Sequence, residues 1–592
     1  MKPTNIKDPE YFHQVVDCQY ACPAHTPVPE YIRLIAAGRY TDAYMVNWES
    51  NVFPGILGRT CDRPCEPACR RGRLEQEPVA ICRLKRVAAD NKSDISKRLP
   101  SVPTKKNGKR IALVGAGPAA LTVARDLAPL GYELHVFDAQ KAGGGFMRSQ
   151  IPAFRLPESV LDEEVGYILN MGVAAHFDTY VESLKELLDK NYDAVFVGSG
   201  APRGRDLKNL PGRQAGDAAI HIGIDWLGSV AFGHVTQIGK KVIVLGGGNT
   251  AMDCCRTARR LGGEEVKVIV RSPFADMKAS PWEKQDAVSE DIPIIDNHVP
   301  VEFVVENERL VGMNFEKVAA EYDASGRRSL VPTGEDRVFF PCDAVLVAIG
   351  QENSFPWIER DIGIVFDKWG MPQLDAATFQ SSNPKVFFGG DAAFGPENII
   401  TAVAHGHQAA VSIDLYCRGE DVTQRLAPGV SLVTQKMGIH EWSYDSKIED
   451  DPRFLVPHAE KRASLSDRKL EVELGFDVAT AFKEAQRCLN CDVQTVFSEV
   501  RCIECDACVD ICPTDCINFI DNEDEPVLRE QLRVPARNQQ QLLYVSAQLP
   551  TQRVMVKDED VCLHCGLCAE RCPTAAWDMQ KFLYQVSKAS AL

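Results

Sequence analysis

Two cysteine runs near the end of the chain have a spacing that could hold iron. The runs are Cys502-x2-Cys505-x2-Cys508-x3-Cys512-Pro513 and Cys562-x2-Cys565-x2-Cys568-x3-Cys572-Pro573. Three thiolates on one tight loop, followed by a fourth before a proline, is the spacing of [4Fe–4S] ligands. Zinc is the alternative for paired Cys-x2-Cys sequences, but zinc rarely needs four thiolates in so compact a run. The spacing therefore favours iron–sulfur chemistry.

The two runs together resemble a two-cluster ferredoxin, in which the last cysteine of each run reaches the cluster of the other. One predicted ligand set is Cys502, Cys505, Cys508 and Cys572. The other is Cys562, Cys565, Cys568 and Cys512. Cys516 follows Cys512 too closely for this spacing, so we interpret it as a core thiol.

A glycine-rich turn earlier in the chain could bind a dinucleotide. A buried strand over 109–114 is predicted to run into Gly115-Ala116-Gly117-Pro118-Ala119-Ala120, which opens a helix. Gly115 permits a tight turn, and Gly117 allows a pyrophosphate to approach the N-terminus of the helix. Asp138 follows the next predicted strand and is placed to accept a hydrogen bond from a ribose hydroxyl.

A second unit of the same kind follows. A strand over 241–245 precedes Gly246-Gly247-Gly248-Asn249-Thr250-Ala251, a helix to about Leu261 and a strand over 266–270. Two such units predict two Rossmann-like domains and two dinucleotides. The second unit's strand ends in Arg271, with Lys278 just beyond. Cations at this place favour the 2′-phosphate of NADP over NAD, although a solvated surface charge explains Arg271 equally well.

Two further segments are predicted to complete the first domain. Residues 343–350 repeat the apolar strand and glycine ending of residues 193–200, which close on Gly200. Residues 386–388 lead into Gly389-Gly390-Asp391, which precedes a helix from about Asn398. A carboxylate there can reach the ribityl chain of a flavin. One nucleotide-binding domain is thus expected to be interrupted by the other.

These motifs resemble the small (β) subunit of NADPH-dependent glutamate synthase and the N-terminal half of dihydropyrimidine dehydrogenase. The matching motifs are Val114-Gly115-Ala116-Gly117-Pro118-Ala119, Gly246-Gly247-Gly248-Asn249-Thr250-Ala251-Met252-Asp253 and Gly389-Gly390-Asp391. The resemblance extends from about Asp17 to Cys491. It implies FAD in the first domain, a nicotinamide dinucleotide in the second and two [4Fe–4S] clusters in a helical N-terminal domain.

The N-terminal domain by itself has too few cysteines for two clusters. It offers Cys18, Cys22, Cys61, Cys65, Cys69 and Cys82. The family's Cys-x2-Cys is absent before them, and Cys488-x2-Cys491 looks like that piece displaced along the chain. By this resemblance one set is Cys488, Cys491, Cys18 and Cys69. The other is Cys22, Cys61, Cys65 and Cys82.

Cys82 departs from the family's pattern. There a Gln or Glu often supplies the last ligand about one turn later, where this chain has Lys85. A protonated lysine cannot bind iron, so Cys82 is the predicted ligand. Zinc binding or core packing is the alternative for the six N-terminal cysteines.

Composition limits the location and the domain count. The 592 residues include 21 cysteines, 66 basic and 82 acidic side chains, with a net charge of −16. An acidic chain is a poor binder of nucleic acid. A polar N-terminus and the lack of a long apolar run predict a cytoplasmic protein without a membrane span. The predicted domains are 1–105 (helical, [4Fe–4S]), 106–225 and 340–425 (FAD), 226–339 (NAD(P)), 426–495 (connector carrying a cysteine pair) and 496–592 (α+β, ferredoxin-like).

The predicted function is electron transfer. A nicotinamide gives up a hydride and an iron–sulfur cluster takes one electron, so a flavin must stand between them. No nucleophile–histidine–aspartate set or carboxylate pair is evident, so no catalytic side chain is assigned. We expect an α/β FAD-dependent NAD(P)H oxidoreductase with four [4Fe–4S] clusters. The predicted partners are subunits of a 2-oxoacid oxidoreductase, a hydrogenase or a formate dehydrogenase.

Three alternatives remain open. The chain could be a free-standing NAD(P)H:ferredoxin oxidoreductase, which would need no stable partner. It could be a glutamate synthase small subunit, although the added ferredoxin-like module departs from that family. It could also be a non-catalytic assembly module with a structural iron–sulfur domain.

Overall fold

The chain folds as two compact units. The structure, a computed structural model, describes residues 1–13, 16–75, 77–427, 429–434, 451–535 and 538–589. Residues 435–450 of the predicted connector therefore lie outside the described residues. One unit, the nucleotide unit, consists of residues 100–422 and 457–474. The other, the cysteine unit, consists of residues 1–99, 423–456 and 475–592.

The first sheet of the nucleotide unit is a five-stranded parallel sheet. Its strands, in spatial order, are Val386–Phe388, Ala194–Val197, Arg110–Val114, Glu133–Phe137 and Ala174–His176. The central strands are apolar and almost fully buried, as expected for a parallel sheet covered on both faces. The helices Pro118–Leu127, Glu158–Leu169 and Ile399–Arg418 accompany this sheet.

The second sheet of this unit is also parallel and five-stranded. Its order is Ile220–Ile222, Ala344–Val347, Lys241–Leu245, Glu265–Ile269 and Ile294–Ile295. The helices Gly223–Ala231, Asn249–Arg260 and Pro281–Ser289 belong to this part of the unit.

One strand assignment made from the sequence is wrong. Residues 343–350 were expected to complete the first sheet, but Ala344–Val347 lies between two strands of the second sheet. Both sheets use short apolar strands that end at glycine, so the pattern alone cannot tell which sheet such a strand joins. The interruption of one nucleotide-binding fold by the other is nevertheless present, because Val386–Phe388 returns to the first sheet.

The remaining elements of the nucleotide unit are smaller. An antiparallel sheet contains His298–Glu306, Arg309–Tyr322, Arg328–Pro332 and Val338–Pro341. A two-stranded ladder joins Arg203–Gly204 to Gln351–Glu352. The other helices are Phe146–Ser149, Leu184–Leu188, Asp391–Phe394 and Lys461–Ser466.

The cysteine unit combines the N-terminal helices with the ferredoxin-like segment. Its helices are Pro9–His13, Asp17–Tyr20, Val28–Ala36, Tyr40–Asn51, Pro54–Thr60, Arg70–Glu75, Ile81–Asp90, Val478–Gln486, Ala507–Asp510, Glu525–Glu530 and Leu567–Arg571. One antiparallel sheet has the order Gly429–Thr434, Trp577–Gln585, Val493–Phe497. The other has the order Ile517–Asp521, Arg553–Lys557, Tyr544–Val545.

The predicted fold class, a mixed α/β chain with Rossmann-like and ferredoxin-like parts, is confirmed. Among the described residues, none of the helices combines the length and apolar character needed to cross a bilayer.

Candidate functional site

The first glycine-rich turn lies at the carboxyl edge of the first sheet. Gly115 has a φ of +95°, and a Cβ there would stand 2.5 Å from the carbonyl oxygen of Gly198. A Cβ on Gly145 would stand 2.8 Å from the Cα of Gly117. The backbone is therefore close-packed at this turn and only glycine fits. Pro118 is the first residue of the helix Pro118–Leu127, where a missing N–H has no cost.

Two of the predicted cofactor-binding residues are carboxylates at this edge. Asp138 accepts hydrogen bonds from the backbone N–H groups of Ala116 at 2.7 Å and Gln140 at 2.8 Å. These bonds hold its carboxylate beside the glycine turn. Asp391 follows the strand Val386–Phe388 and accepts from the backbone N–H of Glu397 at 3.1 Å. Burial raises the pKa of Asp138, and burial raises the pKa of Asp391 to about 6.

The other predicted residues of this turn lie at the ends of neighbouring strands. Gly200, after the strand Ala194–Val197, has a φ of +70°. Gly390 has a φ of +59°, and a Cβ there would stand 3.2 Å from the Cβ of Ala119. The hydroxyl of Ser199 is buried without a hydrogen-bond partner among the described residues. Glycine cradles, two carboxylates and an unpartnered hydroxyl at one sheet edge fit a dinucleotide such as FAD.

The second glycine-rich turn lies at the carboxyl end of Lys241–Leu245. Gly246 has a φ of +136°, and a Cβ there would stand 2.1 Å from the carbonyl oxygen of Ala348. Gly248 has open space where its Cβ would be, and it precedes the helix that begins with Asn249 and Thr250. Open space before a helix N-terminus fits a phosphate group.

The two predicted cations, Arg271 and Lys278, lie beyond the neighbouring strand and are both exposed. The loop that carries Lys278 is tied to the turn. The N–H of Ala279 donates to the carbonyl of Gly247 at 2.9 Å, and the N–H of Ser280 donates to Asn249 Oδ1 at 2.8 Å. The loop therefore keeps its position relative to the phosphate-binding edge.

In the cysteine unit, the structure groups the sixteen predicted thiols into four sites. We name each site after one neighbouring residue. The Arg70 site contains Cys18, Cys69, Cys488 and Cys491 around one cavity, with Arg70 in its wall. The two segments that supply these thiols are far apart in sequence. Burial raises the pKa of all four thiols, that of Cys491 to about 12.

The Lys85 site contains Cys22, Cys61, Cys65 and Cys82. Hydrogen bonds from Cys61 and Cys65 hold the pKa of Cys82 well below its usual range, and the Lys85 ammonium acts in the same direction. Burial alone would lower the pKa of Lys85. The neighbouring cysteines, Cys82 foremost, outweigh burial and raise it, so Lys85 is a buried cation beside these thiols.

The ferredoxin-like segment contains two cavities, each lined by three thiols of one run and the last thiol of the other. The Ile503 site contains Cys502, Cys505, Cys508 and Cys572. The Lys557 site contains Cys512, Cys562, Cys565 and Cys568, with Lys557 fully buried in its wall. The four predicted thiols around each cavity fit the ligand chemistry of a [4Fe–4S] cluster.

Cys516 also lies at the Lys557 site, which the sequence did not predict. Its Sγ is 3.4 Å from the Sγ of Cys512. A hydrogen bond from Cys516 lowers the pKa of Cys512 to about 5. The signal that could have found it is its position four residues after Cys512, past the Cys512-Pro513 turn.

The two ferredoxin-like loops differ in exposure. In the loop of the Ile503 site, Cys505 is exposed, Ile503 is 62% exposed and the preceding Val500 is 90% exposed. In the loop of the Lys557 site, Cys562 and Cys568 are buried, and His564 is 6% exposed. The Ile503 site is therefore the one near solvent.

Comparison with known proteins assigns three parts of the chain to families. Residues 109–406 match the pyridine nucleotide-disulphide oxidoreductase family, which is half of the chain. The chain belongs to this family. Residues 13–96 match the dihydropyrimidine dehydrogenase domain II, 4Fe-4S cluster family, and residues 501–576 match the 4Fe-4S dicluster domain family.

Three relatives are similar to this chain over most of its length. The NADP(+)-dependent formate dehydrogenase subunit beta of Moorella thermoacetica is 34% identical and covers 80% of this chain and 70% of the relative. The NADPH-Fe(3+) oxidoreductase subunit beta of Geobacter sulfurreducens is 33% identical, covering 82% and 77%. The glutamate synthase [NADPH] small chain of Escherichia coli is 32% identical, covering 68% and 87%.

These matches confirm the predicted class. The chain is an FAD-dependent NAD(P)H oxidoreductase of the iron–sulfur flavoprotein type, and its function is electron transfer. The resemblance to the glutamate synthase small subunit is confirmed as well.

Proposed function

We propose that this chain passes electrons between NAD(P)H and a partner redox subunit through one FAD and four [4Fe–4S] clusters. The observation that carries the proposal is the grouping of sixteen predicted thiols into four sites of four. In this proposal the Arg70, Lys85, Ile503 and Lys557 sites each hold one cluster. Each cluster would exchange one electron at a time.

The two nucleotides would occupy the two glycine-rich turns. FAD would be held by Gly115, Gly117, Pro118, Ala119, Asp138, Gly200, Gly390 and Asp391. The nicotinamide dinucleotide would be held by Gly246, Gly248, Asn249, Thr250, Arg271 and Lys278. FAD, when bound, accepts a hydride and releases single electrons. The chain's own residues bind and orient the two nucleotides, and hydride transfer needs no acid or base from them.

The partner is proposed to dock at the Ile503 site. Exposed aliphatic side chains beside an exposed cysteine favour protein contact there. Residues 499–525 contain nine Asp or Glu and one basic residue, Arg501, so we expect a partner with a basic face. The β-subunit relatives support a partner subunit, and the Moorella thermoacetica relative favours one of the formate dehydrogenase type.

The test is the cofactor content of the full chain purified without oxygen, together with any partner that co-purifies. We expect about sixteen irons and one FAD per chain. A Cys488→Ser/Cys491→Ser double variant should lose about four irons, because these two thiols belong to one site. Cys417→Ser, outside the four sites, is the matched control and should lose none. About eight irons in the wild-type chain would contradict the proposal.

A further inference from the structure

We infer that Arg70 and His564 form the junction across which one electron passes between the Arg70 site and the Lys557 site. The inference rests on the proposed function, because it requires a cluster at each site. It assigns roles to two side chains that supply no ligand. His564 lies between Cys562 and Cys565 and Arg70 follows Cys69, and 494 positions separate the two residues in the sequence.

Arg70 contacts both sites directly. Its side chain lies in the wall of the Arg70 site, beside the cysteines. Its Nη1 lies 2.6 Å from His564 Nε2 and 3.5 Å from the carbonyl oxygen of Cys562. Cys562 is a thiol of the Lys557 site. Arg70 is 2% exposed, so the contact is sealed from water. The Arg70 guanidinium therefore lies between the two sets of thiols.

The neighbours of His564 determine which of its ring nitrogens carries the proton. Its Nδ1 lies 2.8 Å from the carbonyl oxygen of Val493, which can only accept, so Nδ1 donates. An arginine can only donate, so Nε2 of His564 accepts from Arg70. The backbone N–H of His564 points to the Sγ of Cys562 at 3.4 Å. The hydrogen bonds therefore continue from the wall of the Arg70 site to a thiol of the Lys557 site.

The other ferredoxin-like loop shows what is particular about His564. Glu504 occupies the same place in the loop of the Ile503 site, and its N–H lies 3.4 Å from the Sγ of Cys502. The backbone arrangement is thus the same in both loops. The Glu504 carboxylate, however, accepts a hydrogen bond from the backbone N–H of Thr551 at 3.1 Å and pairs with Arg553 at 3.4 Å. The side chain two residues after the first cysteine of the run, Glu504 or His564, distinguishes the exposed loop from the buried one.

The junction has two physical effects. A positive charge buried between two anionic clusters stabilises the reduced form of each, because low dielectric leaves its field unscreened. A packed and hydrogen-bonded path would also give stronger electronic coupling between the two clusters than an open gap, and so faster electron transfer. In the proposed step a cluster held at the Arg70 site would lose one electron and a cluster held at the Lys557 site would gain it. No bond forms or breaks, and NAD(P)H is the source of the electron.

The test uses the full chain with its cofactors and begins with the iron content of each variant. Arg70→Gln removes the charge, Arg70→Lys keeps it, and His564→Leu removes the acceptor but leaves the charge. Glu504→Gln is the matched control at the equivalent place in the other loop. EPR-monitored redox titration gives the potential of each cluster, with signals assigned through Cys488→Ser and Cys568→Ser. Anaerobic stopped-flow separates flavin reduction from cluster reduction.

We expect Arg70→Gln to leave flavin reduction unchanged and to slow reduction of the ferredoxin-like clusters at least tenfold. It should make reduction of both adjacent clusters about tenfold less favourable, which is 59 mV for one electron. Arg70→Lys should restore the potentials. His564→Leu should slow the transfer while the potential of the Arg70 site stays the same. Glu504→Gln should leave the potentials of both sites and the rate between them unchanged.

Two results would overturn the junction. One is a full iron content in Arg70→Gln with unchanged potentials and rates. The other applies if Arg70→Gln loses iron and cannot be interpreted. In that case a wild-type rate of electron transfer between the two sites in both Arg70→Lys and His564→Leu would overturn the junction. About eight irons in the wild-type chain would instead remove the proposed function, and the junction with it, so the two failures are distinguishable.

Discussion

Both carboxylate oxygens of Asp253 accept a hydrogen bond from Nη1 of Arg155, at 2.7 and 2.8 Å. Arg155 follows the helix Phe146–Ser149 beside the first sheet, and Asp253 lies in the helix Asn249–Arg260 beside the second. The other arginine nitrogen, Nη2, bonds to Glu283. One buried guanidinium therefore joins the segment after Phe146–Ser149 to the two helices Asn249–Arg260 and Pro281–Ser289.

Removing Arg155 should destabilise the nucleotide unit. Arg155→Ala leaves Asp253 buried without its ion-pair partner and Glu283 with the longer contact to Arg256 at 3.5 Å, and breaking such a buried pair costs about 3–5 kcal/mol. The measurement is the denaturant midpoint at which bound flavin is released. Arg468→Ala is the matched control, because this half-buried arginine of the same unit donates to the carbonyl of Val230 at 2.8 Å and forms no ion pair with the described residues. Equal, small losses in the two variants would contradict the expectation.

The stability of this region should fall as pH rises through neutrality. Three guanidinium groups (Arg155, Arg256, Arg260) and the imidazole of His458 face four carboxylates (Asp253, Glu283, Asp286, Glu290), and His458 Nε2 lies 3.7 Å from Asp286. Burial, with the charge of Asp253, raises the pKa of Glu283 to about 7 against the opposing effect of Arg155.

The sign follows from linkage. The folded chain holds the Glu283 proton more tightly than the unfolded chain, so the stabilisation is complete below the normal pKa and is lost as pH rises through about 7. Thermal unfolding between pH 5 and pH 8.5 should show this decline in the wild type. Glu283→Gln cannot ionise, so its curve should be flatter. Parallel curves for the two proteins would show that another group titrates.

The sequence alone predicts local structure where only one residue type can adopt the required backbone geometry. Gly115 and Gly246 have positive φ and touch a neighbouring carbonyl, so no other residue fits there. The spacing of the ferredoxin-like cysteines likewise fixes a loop, and the structure has Cys572 beside the thiols of the first run and Cys512 beside those of the second. A few adjacent residues determine local geometry of this kind.

The sequence was insufficient where the outcome depends on packing between distant segments. The strand Ala344–Val347 has the same apolar pattern as Ala194–Val197, and only its neighbours decide the sheet. The contact between Arg70 and His564 cannot be read from either residue alone, because an arginine and a histidine have many uses. Neither periodicity nor spacing carries that information.

Arg271 and Lys278 should select NADPH over NADH. Both are exposed, and the loop of Lys278 is fixed to the second glycine turn through Ala279 and Ser280. A 2′-phosphate there would gain one or two charge-assisted contacts of about 1.5–3 kcal/mol gross, less where water competes. We expect Arg271→Ala/Lys278→Ala to raise the KM for NADPH about tenfold or more in flavin reduction.

The KM for NADH is the internal control, because NADH lacks the phosphate and should be affected little. Lys284→Ala is a second control, the removal of a half-buried lysine whose Nζ donates to the carbonyl of Phe274 at 3.2 Å. Equal changes for both nucleotides would mean that the two cations act on the rest of the dinucleotide and do not read the phosphate.

Cys516 should tune the Lys557 site without holding its cluster. If Cys512 binds iron it is a thiolate, so the S–H of Cys516, 3.4 Å away, must be the donor. Hydrogen bonds to ligand sulfur stabilise the reduced cluster. Cys516→Ala should therefore keep the wild-type iron content and lower that cluster's potential by on the order of 20–60 mV, which corresponds to one hydrogen bond. Cys516→Ser keeps a hydrogen-bond donor, so the potential of this cluster in that variant should lie between those of the wild type and Cys516→Ala. Loss of about four irons in Cys516→Ala would instead make Cys516 a ligand and contradict its assignment as a donor.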